Sequence, residues 1–271
     1  MEFGALRMSS MSDEKPQPAR RYNYWLGGKD NYAVDRASGD EIERAFPTVR
    51  TMAVENRQFL RRATAHLAER GVKQFIDIGC GLPTHDNTHE VAQRAHPDAR
   101  VVYVDNDPIV MVHARALLTG TAEGRTAYLE ADLNDPGKIL AHEDLRDTLD
   151  LSQPVGLMLV AVLHFIQGPG AAQPIVSQLL DALPPGSYLA ASNATKDFAP
   201  PEMAARYDAM VASGRVDAWP RDRAEFTRLF DGLEVVEPGI VAVSEWRAEK
   251  EPQPRPTPAE VAVYCGVGRK P

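Results

Sequence analysis

Residues Gln74–Gly81 read QFIDIGCG, an apolar run that ends in a Gly-x-Gly turn, and this stretch decides the fold. The run predicts a buried strand, and the two glycines permit the sharp turn that leaves it. Farther on, Asn87–Glu90 (NTHE) has the spacing of a helix capping box, and the helix it opens stops at His96 and Pro97. A strand, a glycine turn and a helix in this order are the first unit of a parallel α/β sheet.

The alternation of strands and helices continues on the C-terminal side of this unit. Four further strands are predicted, at Val101–Val104, Ala127–Ala131, Val155–Val162 and Ser187–Ser192. Helices are predicted between them, and two more follow the last strand, at about 201–212 and 221–230. Parallel neighbours need crossover connections, so this pattern predicts a parallel sheet with helices on both faces.

The last part of the chain has a different pattern. Two β segments, Glu234–Trp246 and Glu260–Val267, are separated by a proline-rich connection and not by a helix. Consecutive strands without a crossover helix predict an antiparallel hairpin. The predicted fold class is therefore α/β, with a doubly wound, mostly parallel seven-stranded sheet, an antiparallel C-terminal hairpin and an N-terminal helical arm.

The domain organisation follows from composition along the chain. Residues 1–19 are polar and aperiodic, and we expect a disordered tail there. Residues 20–271 form one domain, with 20–71 as the helical arm or lid and 72–271 as the core. The arm's clearest helix, Thr48–Arg70, places Phe59 and Leu67 on an apolar face and Arg62 on the opposite one.

Composition excludes several classes of protein. The chain has 271 residues, and 30 Lys and Arg against 38 Asp and Glu give a net charge of −8, which argues against a nucleic-acid partner. Two cysteines, Cys80 and Cys265, make no disulfide framework and favour the reducing cytoplasm. The longest apolar stretch, Val155–Ile166, is too short to span a membrane, and no signal peptide is visible.

Candidate binding residues lie where the predicted parallel strands end. Ligands of doubly wound sheets bind outside these carboxyl ends. Glycines there let a ligand approach the backbone, one acid can accept from a ribose diol, a second can accept from an adenine amino group, and Asp77 can hold an ammonium group. The predicted cofactor-binding residues at these positions are Asp77, Gly79, Cys80, Gly81, Asp105, Asn106, Asp132, Leu133 and Ala161.

Other interpretations use the same sheet. An NAD(P)-dependent oxidoreductase is one, but the third glycine of the dinucleotide fingerprint is missing here. The strand-end acids could also serve only as helix caps. His85 and His89 are four positions apart, yet no third ligand accompanies them, so no metal is predicted.

An aromatic window, Arg20–Tyr32 (RRYNYWLGGKDNY), precedes the sheet. Its aromatic rings could cover a cationic ligand by cation–π attraction, and we include Tyr32 among the cofactor-binding residues. Packing of the same rings on the domain is the alternative. For a general base, His164 after the fourth strand is the first candidate, and Tyr22 and Tyr24 are the next.

Several of these motifs resemble those of known protein families. Phe75–Gly81, Val104-Asp105 and Ala131–Leu133 resemble the S-adenosylmethionine-binding core of class I methyltransferases, and Val162–Ile166 is similar to their segment after strand four. Tyr24–Tyr32 resembles an actinobacterial S-adenosyl methyltransferase family first described as a domain of unknown function. The same family is matched by Gly81–Thr84, Asn87, His89-Glu90 and Tyr264–Arg269.

The resemblance implies a Rossmann-like fold and S-adenosylmethionine as cofactor, with S-adenosylhomocysteine as product. It supplies no substrate, and Pro83 replaces the usual third glycine of the first loop. We expect methyl transfer by in-line displacement to an oxygen or nitrogen of a small molecule, without a nucleic-acid or membrane partner. A non-catalytic regulatory protein that binds the same cofactor is the alternative.

Overall fold

The computed structural model describes residues 15–271. The strands are β1 (Gln74–Ile78), β2 (Arg100–Asp105), β3 (Arg125–Glu130), β4 (Gly156–Leu159), β5 (Tyr188–Ala194), β6 (Glu234–Val235), β7 (Val241–Ala242) and β8 (Val263–Arg269). The helices are α1 (Pro18–Trp25), α2 (Ala33–Ala45), α3 (Val49–Glu69), α4 (Thr88–Ala95), α5 (Pro108–Leu117), α6 (Pro136–Ala141), α7 (Glu143–Thr148), α8 (Ala172–Asp181), α9 (Pro201–Ala212), α10 (Arg223–Arg228) and α11 (Pro258–Val261).

The sheet is mixed and has the predicted topology. Its order is β3-β2-β1-β4-β5-β8-β6, and β7 also pairs with β8. The first five strands are parallel, and β8 runs antiparallel to its neighbours. The chain moves outward from β1 in one direction through β2 and β3, and in the other through β4 and β5. The switch point between β1 and β4 is therefore the expected ligand position.

The parallel strands are buried on both faces. Along β1, Ile76 and Ile78 belong to one hydrophobic cluster, whereas Phe75 belongs to the cluster on the opposite face. Successive strand residues point to opposite faces, so two apolar layers cover the sheet. This double burial explains why the strands are continuous apolar runs in the sequence.

Local signals set the starts of α4 and α5, and α4 begins at the predicted capping box. Asn87 and Glu90 form the reciprocal capping box at the start of α4. Asp107 accepts a hydrogen bond from the backbone N–H of Ile109 at 2.9 Å and caps α5. Both helices follow a strand of the parallel sheet, so their first turns lie at its carboxyl edge.

The C-terminal hairpin corrects the predicted strand number. The segment Glu234–Trp246 is not one long strand: it contributes only β6 and β7, two residues each. Pro238 lacks a backbone donor and Gly239 has φ +90°. The hydrogen-bond ladder is therefore interrupted between β6 and β7. Within residues 15–271 the sheet consequently has eight strands, not seven.

The arm packs through buried polar contacts. Arg20 Nε lies 3.0 Å from Asp35 Oδ2, with both side chains almost fully buried. Asp35 also accepts from the backbone N–H of Gln17 and Tyr32, so one carboxylate joins α1 to α2. Because α1 begins at Pro18, the arm starts before residue 20; the rest of the predicted tail, residues 1–14, lies outside the described residues.

Helix α3 departs from its predicted polar face. Arg62 is buried, and its guanidinium donates to the backbone carbonyls of Trp246 and Val243 at 2.8 and 2.6 Å. The C-terminal segment covers this side of the helix. Of the helices between residues 15 and 271, none has both the length and the apolar character required to cross a bilayer.

Candidate functional site

A cavity of about 520 Å³ lies at the carboxyl edge of the sheet and extends under the arm. Two groups of residues line it, and we name each by its position. The loop end comprises 77–82, 105–107, 131–134 and 160–162. The arm end comprises those residues of 21–26, 42–49, 164–167, 203–210 and 216–218 that line the cavity. Helix α3 lines the cavity with Asn56 and Arg57.

The glycine turn forms the floor of the loop end. Gly79 has φ +72°, and a Cβ there would lie 2.5 Å from the Val162 side chain. Gly81 has φ +65° and faces open space. Only glycine meets both demands at position 79, because L side chains avoid this backbone region and the neighbouring strand leaves no room.

Asp105 stands beside this turn, as predicted. Its Oδ2 accepts from the Gly81 N–H at 2.9 Å and its Oδ1 from the Asp107 N–H at 3.0 Å. Burial raises the pKa of Asp105, and these backbone hydrogen bonds oppose the rise. Each carboxylate oxygen keeps acceptor capacity for a ligand hydroxyl. Asn106, the next residue, also lines the cavity.

The predicted adenine-binding pair is at the next strand end. Asp132 is exposed, and its Oδ1 accepts two bonds from Asn134, each 2.8 Å long. Leu133 is buried in the core. Both residues line the cavity, so the acids after β2 and β3 are brought to one ligand space.

Asp77 and Arg57 carry opposite charges and both line the cavity. Thr88 Oγ1 donates to Asp77 Oδ2 at 2.5 Å. Burial raises the pKa of Asp77 to about 6, while the nearby positive charge of Arg57 lowers it. Arg57 Nη2 donates to Asn87 Oδ1 at 3.0 Å, and its buried Nε has no hydrogen-bond partner among residues 15–271.

The sequence reasoning missed Arg57. It is one of several arginines on α3, and helical periodicity does not distinguish it from its neighbours. Its position opposite the Asn87 capping box could have been suspected only if the packing of α3 against α4 had been known. Cys80, which was predicted, lines the cavity, and burial raises the pKa of its thiol, so the thiol stays protonated.

A hydrogen-bonded chain joins the loop end to the arm. Ala161, held at φ +59°, donates its N–H to Ser192 Oγ at 2.9 Å, and Ser192 donates to Asn56 Oδ1 at 2.6 Å. Asn56 Nδ2 then donates to the Tyr22 hydroxyl at 3.1 Å, which donates to the Ala53 carbonyl at 2.8 Å. A non-glycine residue in the left-handed region is strained, and this chain fixes it.

The same chain includes Tyr22, one of the predicted candidates for a general base. The side chain lines the cavity, and its hydroxyl proton is donated to the Ala53 carbonyl. Burial raises the pKa of Tyr22, so the phenolate form is disfavoured. Tyr22 therefore holds the arm through this chain, and its catalytic role stays a prediction.

Tyr24 and Tyr32 are not among the cavity-lining residues, contrary to the prediction. Tyr24 donates to Asp40 Oδ1 at 2.7 Å, and its ring lies 4.5 Å from the Arg50 guanidinium. Tyr32 is 40% exposed and precedes α2. The helical rotation of about 100° per residue turns Tyr24 away from the side that carries Arg21, Tyr22 and Trp25 into the cavity.

His164 lies at the arm end, in a one-turn 3-10 helix, Leu163–Phe165. Its buried Nδ1 has no hydrogen-bond partner in the described part of the chain. Burial lowers the pKa of His164 to about 4; Asp217 opposes this, whereas Arg221 and Arg21 add to it. The imidazole is neutral at physiological pH and can accept a proton or a hydrogen bond.

Arg21 and Asp217 are two further residues of the arm end that the sequence did not indicate. Arg21 Nη2 lies 2.5 Å from Asp217 Oδ1, and both line the cavity. The pair connects α1 with the segment after α9. Sequence separation hides such a contact, since the two residues are 196 positions apart.

The His85–His89 pair does not converge on a shared ligand. His89 is buried, with Nδ1 2.8 Å from the Tyr103 hydroxyl, while His85 is exposed. Among residues 15–271, no group of three or more His, Cys, Asp or Glu side chains could hold a metal ion.

The chain is similar to known proteins over nearly its whole length. A model of the S-adenosyl methyltransferase family matches residues 5–271. A DUF574 family protein from Streptomyces avermitilis is 45% identical, with a TM-score of 0.89 over 96% of this chain and 100% of that one. A protein from Thermobifida fusca, described as a candidate methyltransferase, is 40% identical, with a TM-score of 0.86 over 98% and 99% of the two chains.

A more distant structure shows the wider fold. Magnesium protoporphyrin IX methyltransferase from Synechocystis, with S-adenosylhomocysteine bound, is 15% identical, with a TM-score of 0.54 over 93% of each chain. No curated protein matches the chain. The family match, the two actinobacterial relatives and the Rossmann-like sheet with its C-terminal hairpin agree. The chain belongs to the S-adenosyl methyltransferase family and is an S-adenosylmethionine-dependent methyltransferase.

Proposed function

We propose that this enzyme methylates an oxygen or nitrogen of a small molecule held at the arm end of the cavity. The observation that carries the proposal is the continuity of the cavity. It runs from Asp77 in β1, Asp105 at the end of β2 and Asp132 after β3 to a largely apolar space beneath the arm. A cofactor in the loop end would therefore have its reactive end directed towards room for a small acceptor.

The loop end fits an adenosyl amino acid. Asp105 would accept from the ribose diol, and Asp132 with the Leu133 backbone N–H would bind adenine; all three groups belong to residues that line the cavity. Asp77 supplies a carboxylate for the ammonium group. The partnerless Nε of Arg57 is a buried donor next to it, which suits the carboxylate of the same amino acid. These donors and acceptors can all be paired by a ligand without a phosphate group.

Orientation and exclusion of water are the contributions that the protein itself makes. Bound S-adenosylmethionine supplies a methyl group on a cationic sulfur, which is already activated for displacement. Helix α1 closes one side of the cavity with Tyr22 and Trp25, and the Tyr22–Asn56–Ser192 chain fixes its position relative to Ala161. Holding an acceptor in line with the methyl group accounts for most of the acceleration expected of such a site.

Calorimetric titration of the full chain tests the proposal. We expect S-adenosylmethionine and S-adenosylhomocysteine to bind, and Asp105→Ala to weaken both strongly. Asp181→Ala changes an exposed aspartate on α8 and serves as the matched control. Tight binding of NAD without the adenosyl compounds would instead favour the oxidoreductase alternative. Adenosyl binding without methyl transfer to any member of a broad acceptor panel would favour the regulatory alternative.

A further inference from the structure

Two polar atoms at the arm end lack partners. Arg21 Nε and His164 Nδ1 are both buried, and neither has a hydrogen-bond partner among residues 15–271. Both residues line the cavity. The Arg21 guanidinium is paired with Asp217, and two residues farther on the Trp219 N–H donates to the His164 carbonyl at 2.6 Å, so both residues contact the segment after α9. Buried polar atoms are normally paired, so two partnerless ones on residues that line the same space indicate a ligand that pairs them.

The charge at this position is already balanced. The Arg21 guanidinium is paired with Asp217, and Lys196 at the cavity wall is paired with Asp208 at 2.6 Å. An anionic ligand beside Arg21 would also meet Asp217, and a cationic ligand would meet Arg21. A neutral group therefore has the smallest electrostatic penalty at the arm end.

The remaining surface of the arm end is apolar. Ile42, Val49, Met210 and Val216 form a buried cluster, with Trp25 and Phe46 packed against it, and all six line the cavity. A ligand of this space would contact hydrocarbon and aromatic surfaces over most of its body. Its polar group would be limited to the part that faces Arg21 and His164.

We propose, building on the function proposed above, that the methyl acceptor is an apolar, uncharged molecule whose hydroxyl group binds between Arg21 Nε and His164 Nδ1. A hydroxyl oxygen has two lone pairs and one proton. It can accept from Arg21, donate to neutral His164 and keep one lone pair for the methyl group. A neutral amine has a single lone pair, which a hydrogen bond from Arg21 would occupy. The arm end therefore selects oxygen over nitrogen.

The step balances without any further reactant. A lone pair of the hydroxyl oxygen forms the new carbon–oxygen bond as the carbon–sulfur bond breaks and its electron pair stays on sulfur. The hydroxyl proton passes to His164 Nδ1 and from there to solvent. The products are a methyl ether and S-adenosylhomocysteine, and His164 returns to its neutral form.

Binding of three probes with the same bicyclic body tests this selectivity. Naphthol, naphthoate and naphthylmethylammonium carry a neutral hydroxyl, an anion and a cation. Each is titrated near neutral pH into the full chain saturated with S-adenosylhomocysteine. We expect naphthol to bind about tenfold more tightly than the two charged probes.

Three variants localise the effect. His164→Leu removes the acceptor atom, and Arg21→Lys removes the Nε donor while it keeps a positive charge opposite Asp217. We expect His164→Leu to weaken naphthol binding about five- to tenfold, the usual effect of losing one neutral hydrogen bond. Arg21→Lys should weaken it about tenfold or more, because the lost donor is charged. His113→Leu, on α5 and not among the cavity-lining residues, should leave naphthol binding unchanged.

Several results would overturn the inference. If naphthoate or naphthylmethylammonium binds as tightly as naphthol, the arm end does not select a neutral hydroxyl group. The inference is also wrong if none of the three probes binds the S-adenosylhomocysteine complex, or if neither arm-end variant changes the affinity for naphthol. In those cases the methyltransferase proposal stands. Failure of the wild type to bind S-adenosylhomocysteine at all would overturn both.

Discussion

Arg21 and Asp217 form an ion pair between the arm and the segment after α9, with Nη2 and Oδ1 2.5 Å apart. Asp217 is 40% exposed in its side chain, so we expect the pair to add only about 1 kcal/mol or less to folding stability. Its larger effect is on the cavity, because Asp217 balances the charge of Arg21 at the arm end.

Asp217→Asn should change the charge preference of the arm end. Without the carboxylate, Arg21 keeps an unbalanced positive charge, and naphthoate should gain at least about tenfold in affinity over naphthol. Calorimetry on the S-adenosylhomocysteine complex measures this change. Asp181→Asn is the control, and an unchanged ratio of the two affinities in Asp217→Asn would show that the ion pair does not set the selectivity.

Arg57→Gln should specifically weaken the binding of the methionine end of the cofactor. A charge-assisted hydrogen bond contributes about 1.5–3 kcal/mol, so S-adenosylhomocysteine should bind about 10- to 100-fold more weakly. Adenosine lacks the amino acid group, and its affinity should be the same in wild type and variant. If adenosine and S-adenosylhomocysteine lose affinity equally, Arg57 supports the fold of the loop end and does not contact the carboxylate.

Asp77→Asn should have a pH-dependent effect on stability. Burial raises the folded-state pKa of Asp77 from 3.8 to about 6, so the folded protein retains a proton that the unfolded chain loses between these values. The stability that Asp77 contributes is present below pH ~4 and lost as the pH rises through about 6. Asn at position 77 does not titrate. Between pH ~4 and about 6, the free energy of unfolding of the variant should therefore rise by about 2–3 kcal/mol relative to that of the wild type.

Denaturant titrations of both proteins across this pH range, without cofactor, measure the difference. A difference that stays constant with pH would contradict the raised pKa. Wild-type affinity for S-adenosylhomocysteine should also fall as the pH drops below about 6, because the protonated carboxyl no longer attracts the ammonium group. Adenosine binding should not follow that change.

Ser192→Ala should destabilise the junction between the arm and the sheet. Ser192 is fully buried, and its removal leaves the Ala161 N–H and Asn56 Oδ1 without partners. We expect a loss of about 1–3 kcal/mol in the free energy of unfolding and weaker cofactor binding. Ser177→Ala, on the exposed side of α8, is the matched control and should be nearly neutral. Equal stability of the two variants would contradict the role of this chain.

Asp35→Ala should unfold the arm more easily than a surface variant does. Its carboxylate is buried against Arg20 and accepts two backbone hydrogen bonds, so its loss should cost about 3–5 kcal/mol. Glu41→Ala breaks the surface pair with Arg215 and should cost about 1 kcal/mol or less. Unfolding curves of both variants test this, and a similar cost for the two would show that burial of the Arg20–Asp35 pair is unimportant.

The sequence predicted the loop end of the site well because its signals are local. A strand, a glycine turn and a capped helix specify their own connection, and Asn87 caps the helix that it was predicted to cap. The acids at positions 77, 105 and 132 follow or lie in successive parallel strands, whose carboxyl ends must meet at one edge. The topology therefore brings them to one cavity whatever the side-chain packing.

Predictions that depended on packing between distant segments were less successful. Periodicity placed Arg62 on a polar face, yet the carbonyls of Trp246 and Val243 bury it. The aromatic window was predicted as a unit, but the rotation of α1 sends Trp25 into the cavity and Tyr24 to the surface. Neither outcome is encoded in neighbouring residues, because each depends on which element covers the helix.

By itself, the sequence determined the α/β sheet, the glycine turn and the set of acids at the carboxyl ends of the strands, since these rest on backbone geometry and hydrogen bonds over short distances. Only the tertiary structure decided the arm end of the cavity. Arg21, His164 and Asp217 come from three separate segments, and they meet because the arm and the segment after α9 pack over the same edge of the sheet. Contacts of this kind depend on the burial of apolar surface between distant elements, and that burial leaves no local pattern in the sequence.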